Sequence, residues 1–153
     1  MPAALSEIEE RLINLFKEIL DSLPVGRASL KIKHAPQIQH EGVSISLTPV
    51  TNSAAPIVAD ARDGWSIISL VFGRSTLVEV LPGDKLTQLD EVRAMCEAVI
   101  QGRFEEDLWL VGSEVTKCIG RIEIDGEGRV FRYFGRSFPF KKKERSNIKY
   151  SPY

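Results

Sequence analysis

Cysteine is scarce in this chain: Cys96 and Cys118 are the two present among 153 residues, and no CxxC spacing joins them. That excludes a disulfide-dense secreted scaffold and a cysteine-based zinc finger, and leaves both thiols as small core residues of a reducing compartment. Histidine is equally sparse, with His34 and His40 alone. No segment reaches the roughly 18 apolar residues that a membrane span requires. The opening stretch MPAALSEIEERL has no basic start and no long apolar run, so a secretory signal is not expected. Nucleophile elbow, P-loop, Rossmann glycine pattern and HExxH are all missing, which removes the enzyme classes those motifs carry. These absences point to a soluble, cytoplasmic protein with no enzyme activity, no cofactor and no metal.

What is present is an ordinary globular composition, 43% hydrophobic and 27% charged, in a chain long enough for one domain with a real core. The formal net charge of −1 conceals an uneven distribution. Residues 79–127 carry 12 acidic side chains against 5 basic ones, whereas residues 129–153 carry 8 basic and 1 acidic. A patchy surface potential of this kind suits steering toward a charged partner.

Hydrophobic spacing predicts a helix over LSEIEERLINLFKEILDSL, where Leu5, Ile8, Leu12, Phe16, Ile19 and Leu23 recur at helical period. Ser6 and Glu9 stand at capping-box spacing and Pro24 blocks continuation. ASLKIKH and GVSISLTPV alternate as half-buried strands do; WSIISLVFG and STLVEVL read as two central strands turning at Gly73-Arg74. TNSAAPIVADARDGW reads as turn-rich, with Asp63-Gly64 as a hairpin dipeptide, and Pro82-Gly83-Asp84 closes the strand pair. A second helix is predicted over TQLDEVRAMCEAVIQG, with Thr87 and Asp90 at cap spacing and Gly102 as its stop. EVTKCIGRIEI and RVFRYF then form a hairpin through Asp125-Gly126. The expected fold is α+β: a mostly antiparallel sheet of about six strands with two helices packed on it. Residues 1–140 are expected to form a single domain, and residues 141–153 a basic C-terminal tail, unless it folds back through Phe138 and Phe140.

Three places carry candidate chemistry. HAPQIQH holds both histidines beside Glu41, but the spacing matches no familiar zinc motif and the stretch reads as a loop. FRYFGRSFPFKKKERSNIKY interleaves basic and aromatic residues as nucleic-acid binders do, yet the pI near 6.2 and the acidic middle oppose that reading. VIQGRFEEDLWL places Glu105, Glu106 and Asp107 between Phe104 and Trp109. Acid/base catalysis needs carboxylates converging across a cleft, which neighbours in a turn do not provide. Aromatic anchors framed by charge are instead the ingredients of a specific interface, or of a core strand whose acids face water.

From Gly73 to Val115 the chain also resembles, in layout, small immunity proteins of bacterial polymorphic-toxin and contact-dependent growth inhibition systems. There an apolar strand pair leads to a helix carrying a "cxaVixGkfeE" pattern, matched here by Cys96, Ala98, Val99, Ile100, Gly102, Arg103, Phe104, Glu105 and Glu106. The resemblance implies a non-enzymatic inhibitor that binds a cognate toxin domain, such as a nuclease, and occludes its active site. Glu105, Glu106 and Asp107 would then face a basic toxin groove, with Phe104 or Trp109 as anchor; against a toxin that is not a nuclease, the basic tail would be the contact surface. The alternatives kept open are a secretion chaperone binding an effector segment and a nucleic-acid-binding module using the basic tail. Oligomeric state is open, since an exposed edge strand would support a dimer.

Overall fold

The computed structural model describes residues 7–37, 40–62, 67–81, 85–135 and 141–153. Helix α1 spans Glu7–Ser22, and its apolar stripe of Leu12, Leu15, Phe16 and Ile19 is buried. The helix ends where the Ser22 hydroxyl donates to the Ile19 carbonyl at 2.6 Å, two residues ahead of Pro24. Five antiparallel strands follow as a meander: β1 Ala28–Gln37, β2 His40–Pro49, β3 Ile57–Arg62, β4 Ile68–Phe72 and β5 Thr76–Val80. The register aligns Leu47 with Ile57 and Phe72, and Ile45 with Ala59, Leu70 and Val78, so alternate residues build one apolar face. Helix α1 lies against β1, β2 and β3 on that face.

Helix α2, Lys85–Ile100, packs on β5 and reaches across to β7. Gly102 ends it with φ +78°, its amide bonded to the Val99 carbonyl at 3.0 Å. The helix begins at Lys85, so Thr87 stands inside its first turn and not ahead of it. The rest of the chain forms a second antiparallel sheet in the order β8-β7-β6-β9, from β6 Phe104–Val111, β7 Glu114–Ile124, β8 Glu127–Phe134 and β9 Glu144–Lys149. Asp125 and Gly126, with φ +52° and +79°, make the two-residue turn between β7 and β8. One cluster of buried side chains runs through α1, the first sheet, α2, Phe104 and Ile122.

The expected α+β class therefore holds, but the described residues form nine strands in two sheets where about six in one were expected. The added strands are those whose local chemistry masks them. Strand β3 buries small side chains, Ala59 and Ala61, around Asp60. Strand β6 carries three acids, and β9 lies in the basic stretch read as a tail. HAPQIQH, read as a loop, is largely strand, with β1 running to Gln37 and β2 starting at His40. Ser6, Asp63-Gly64, Pro82-Gly83-Asp84, Phe138 and Phe140 lie outside the described residues.

Candidate binding face

A β-strand sends successive side chains to opposite faces. In β6 this divides the acidic segment. Phe104, Glu106 and Leu108 point between the sheets and are 3%, 0% and 0% exposed. Glu105, Asp107 and Trp109 point to the outer face of the second sheet, where register pairs them with Arg121, Ile119 and Lys117 of β7. The three carboxylates thus do not form one surface.

Glu106 is enclosed among donors from three stretches of chain. Its Oε1 accepts from the Arg74 amide at 2.7 Å and the Tyr150 hydroxyl at 2.5 Å. Its Oε2 accepts from the Ser75 amide at 3.0 Å, the Thr76 hydroxyl at 2.7 Å and the Cys118 thiol at 3.4 Å. This carboxylate ties the β4–β5 turn of the first sheet to the second sheet and to the residue after β9. Phe104 completes the joint, stacked on Tyr150 at 5.1 Å and edge-on to Phe72 at 6.1 Å. Glu106 and Phe104, expected as partner contacts, are internal because they fall on the inward half of the alternation.

Asp107 is outward yet covered, its side chain 3% exposed. Asn147 donates to its Oδ1 at 2.8 Å, and Arg121 and Arg145 reach its Oδ2 at 2.8 and 3.2 Å. The Asn147 amide first, then the Arg121 guanidinium, hold its carboxyl down to about 2. Asp107 therefore stays ionised and anchors two arginines in place.

Strand register lays out the rest of this outer face as rows across β8, β7, β6 and β9. One row runs Phe134, Lys117, Trp109, Arg145; the next, Arg132, Ile119, Asp107, Asn147; the third, Val130, Arg121, Glu105, Lys149. In the first row the Lys117 ammonium sits 4.5 Å from the Trp109 ring centre and 5.6 Å from that of Phe134, and the Arg145 guanidinium 5.2 Å from Trp109. Phe134 is 68% exposed and Val130 47%. Large side chains of mixed polarity are thus held in a row, with Phe134 and Arg145 open to solvent and Trp109 and Lys117 half-buried between them, and with Asp107 and the cation–π contacts as the frame.

Of the five residues singled out in the sequence, Glu105 and Trp109 stay available on this face, and Asp107 supports it from beneath. Phe134, Lys117, Arg132 and Arg145 were not singled out. They belong to β7, β8 and β9: the β7–β8 hairpin sets Lys117 beside Phe134, and pairing of β6 with β7 and with the distant β9 brings that pair beside Trp109 and Arg145. The interleaving of basic and aromatic residues after Val130 is the one local trace of the face.

No protein-family model matches the chain, and no curated protein or solved structure matches it significantly.

Proposed function

We propose that the protein is a non-enzymatic binding protein that engages a partner protein through the outer face of the second sheet. In the form that the resemblance to immunity proteins implies, the partner is a bacterial toxin domain, neutralised by occlusion. The observation that supports this reading is the row Phe134, Lys117, Trp109, Arg145, because a partly exposed Trp and an exposed Phe and Arg are side chains enriched at interfaces, with Trp and Arg above all among those that dominate the energy. The complementarity differs from that expected of an acidic bait. Glu106 is consumed inside and the charge of Asp107 is compensated by Arg121 and Arg145, while Lys117, Arg132 and Lys149 share the face with Glu105, so an acidic surface on the partner fits it.

Aromatic rings flanking a cation on a sheet also suit single-stranded nucleic acid, which is the second reading. Carboxylates interspersed on the face and two arginines already bound by Asp107 favour protein. The test is capture of partners by the tagged protein from its own cells, with W109A/F134A as comparison. Recovery of one exported protein through its C-terminal domain, reduced roughly tenfold or more by W109A/F134A, supports the proposal, and rescue of cells from that toxin domain completes it. Recovery of RNA that nuclease treatment abolishes would turn the reading to nucleic acid. Equal capture by W109A/F134A would place the contact elsewhere.

A further inference from the structure

The far end of the same face opens into a cavity of about 400 Å³, at the junction of the α2–β6 connection, the β7–β8 hairpin and β9. This is within the range of small-molecule sites, roughly 300–1,000 Å³. Its lining brings together Arg103, Arg121 and Lys149 with Glu105 and Glu123, over an edge of Phe104.

The charges there are not equivalent. Arg121 is committed, 2.8 Å from Asp107 and 3.8 Å from Glu105. Arg103 and Lys149 are exposed, and neither has an ion-pair partner among the described residues. Two available cations therefore sit in one concavity with a third fixed beside them. Such a set favours a compact anion that accepts several hydrogen bonds, above all a phosphate group. Glu123, whose amide donates to the Arg103 carbonyl at 3.1 Å, also lines the cavity, and its exposed carboxylate accepts hydrogen bonds and so suits the hydroxyls of a ligand. The volume leaves room for more than an isolated phosphate.

We infer that this cavity is a binding site for a small phosphate ester bearing hydroxyls, of the sugar-phosphate or nucleoside-monophosphate class. The phosphate lies against Arg103 and Lys149, and the hydroxyls donate toward Glu123. The partner contact proposed above is centred on Trp109 and Phe134, so either can fail alone.

Isothermal titration of the full chain with AMP and with glucose 6-phosphate tests it, using adenosine and glucose as uncharged counterparts. Saturable binding of an ester, at least roughly tenfold weaker in R103A/K149A and unchanged in K17A on α1, supports the site. W109A should bind the ester as the parent does. R103K/K149R should retain most of the affinity, which separates loss of charge from damage to the fold. Absence of saturable binding by both esters overturns the inference, as does equal binding by R103A/K149A or by adenosine.

Discussion

Glu106 shows why a residue's neighbours in sequence are a poor guide to its role. Both of its oxygens receive backbone amides, Arg74 on one and Ser75 on the other. Glu106→Gln must therefore aim an amide N–H₂ at an N–H whichever way it turns, and it should cost on the order of 2 kcal/mol in urea denaturation. An unchanged midpoint would remove the staple role. Tight space supports the same reading. A Cβ at Gly73, where φ is +62°, would lie 2.2 Å from Glu106 Oε1, and one at Gly120 would lie 2.3 Å from the Thr76 hydroxyl. Asp107 makes a pH-dependent contribution whose sign follows from its depressed pKa, about 2 against 3.8. Its stabilisation is present above roughly pH 4 and is lost as pH falls toward 2, and on the order of 1 kcal/mol is expected because the arginines that cover it are themselves partly in water. Thermal melts from pH 5 down to pH 2 should show this acid limb in the parent and a flatter one in D107N. The thiols are protected: burial drives the Cys96 pKa far upward and pushes Cys118 up to about 12. Neither should react with Ellman's reagent until the chain unfolds; rapid labelling of the native protein would contradict their placement.

Strand β9 is the element on which most depends. Among the described residues it pairs with β6 alone, and it supplies Asn147 and Arg145 to Asp107. The residues after it fasten the chain end across both sheets. Tyr150 donates to Glu106, the Ser151 amide to the Ser53 carbonyl at 2.9 Å, the Tyr153 amide to the Ile100 carbonyl at 3.0 Å and the Tyr153 hydroxyl to the Ala55 carbonyl at 2.6 Å. Truncation after Lys143 would bare the β6 edge, take Tyr150 from Glu106, and take Arg145 and Asn147 from Asp107. The expected result is aggregation and loss of amide protection throughout β6 and β7 in hydrogen exchange. Exchange that stayed slow in β6 would show β9 to be dispensable. Helices and the alternating strands β2, β4, β5 and β7 were legible because their burial follows one period. β3 and β9 were not, and β6 was legible only as one of two readings of Leu108 and Trp109, since Ala59, Glu106 and the lysine run before Glu144 each break the local pattern for reasons that lie across the fold.

At the scale of the molecule, the opposed charges of the middle and the end of the chain meet in the second sheet. Acidic β6 lies beside basic β9, and β8 and β9 flank the central pair. The pairing neutralises Asp107 within the face and leaves cations around exposed rings, so a chain of net charge −1 presents a locally basic, aromatic surface. The face should be separable from stability. W109A/F134A removes side chains that are not buried, so its melting temperature should stay within a few degrees of the parent while partner capture falls. A large drop in melting temperature would make these residues part of the fold and not a binding surface.

Local periodicity and turn chemistry by themselves determined the two helices, the Asp125-Gly126 hairpin and the α+β class. These depend on residues three, four or two apart, and that information is contiguous. Only the tertiary structure decided that there are two sheets, that Glu106 is a staple while its neighbour Asp107 is a frame, and that Trp109 shares a row with Phe134 and Arg145. Register across β8, β7, β6 and β9 joins positions up to about forty residues apart, and the free energy of burying or exposing a carboxylate is set by donors that no local window contains.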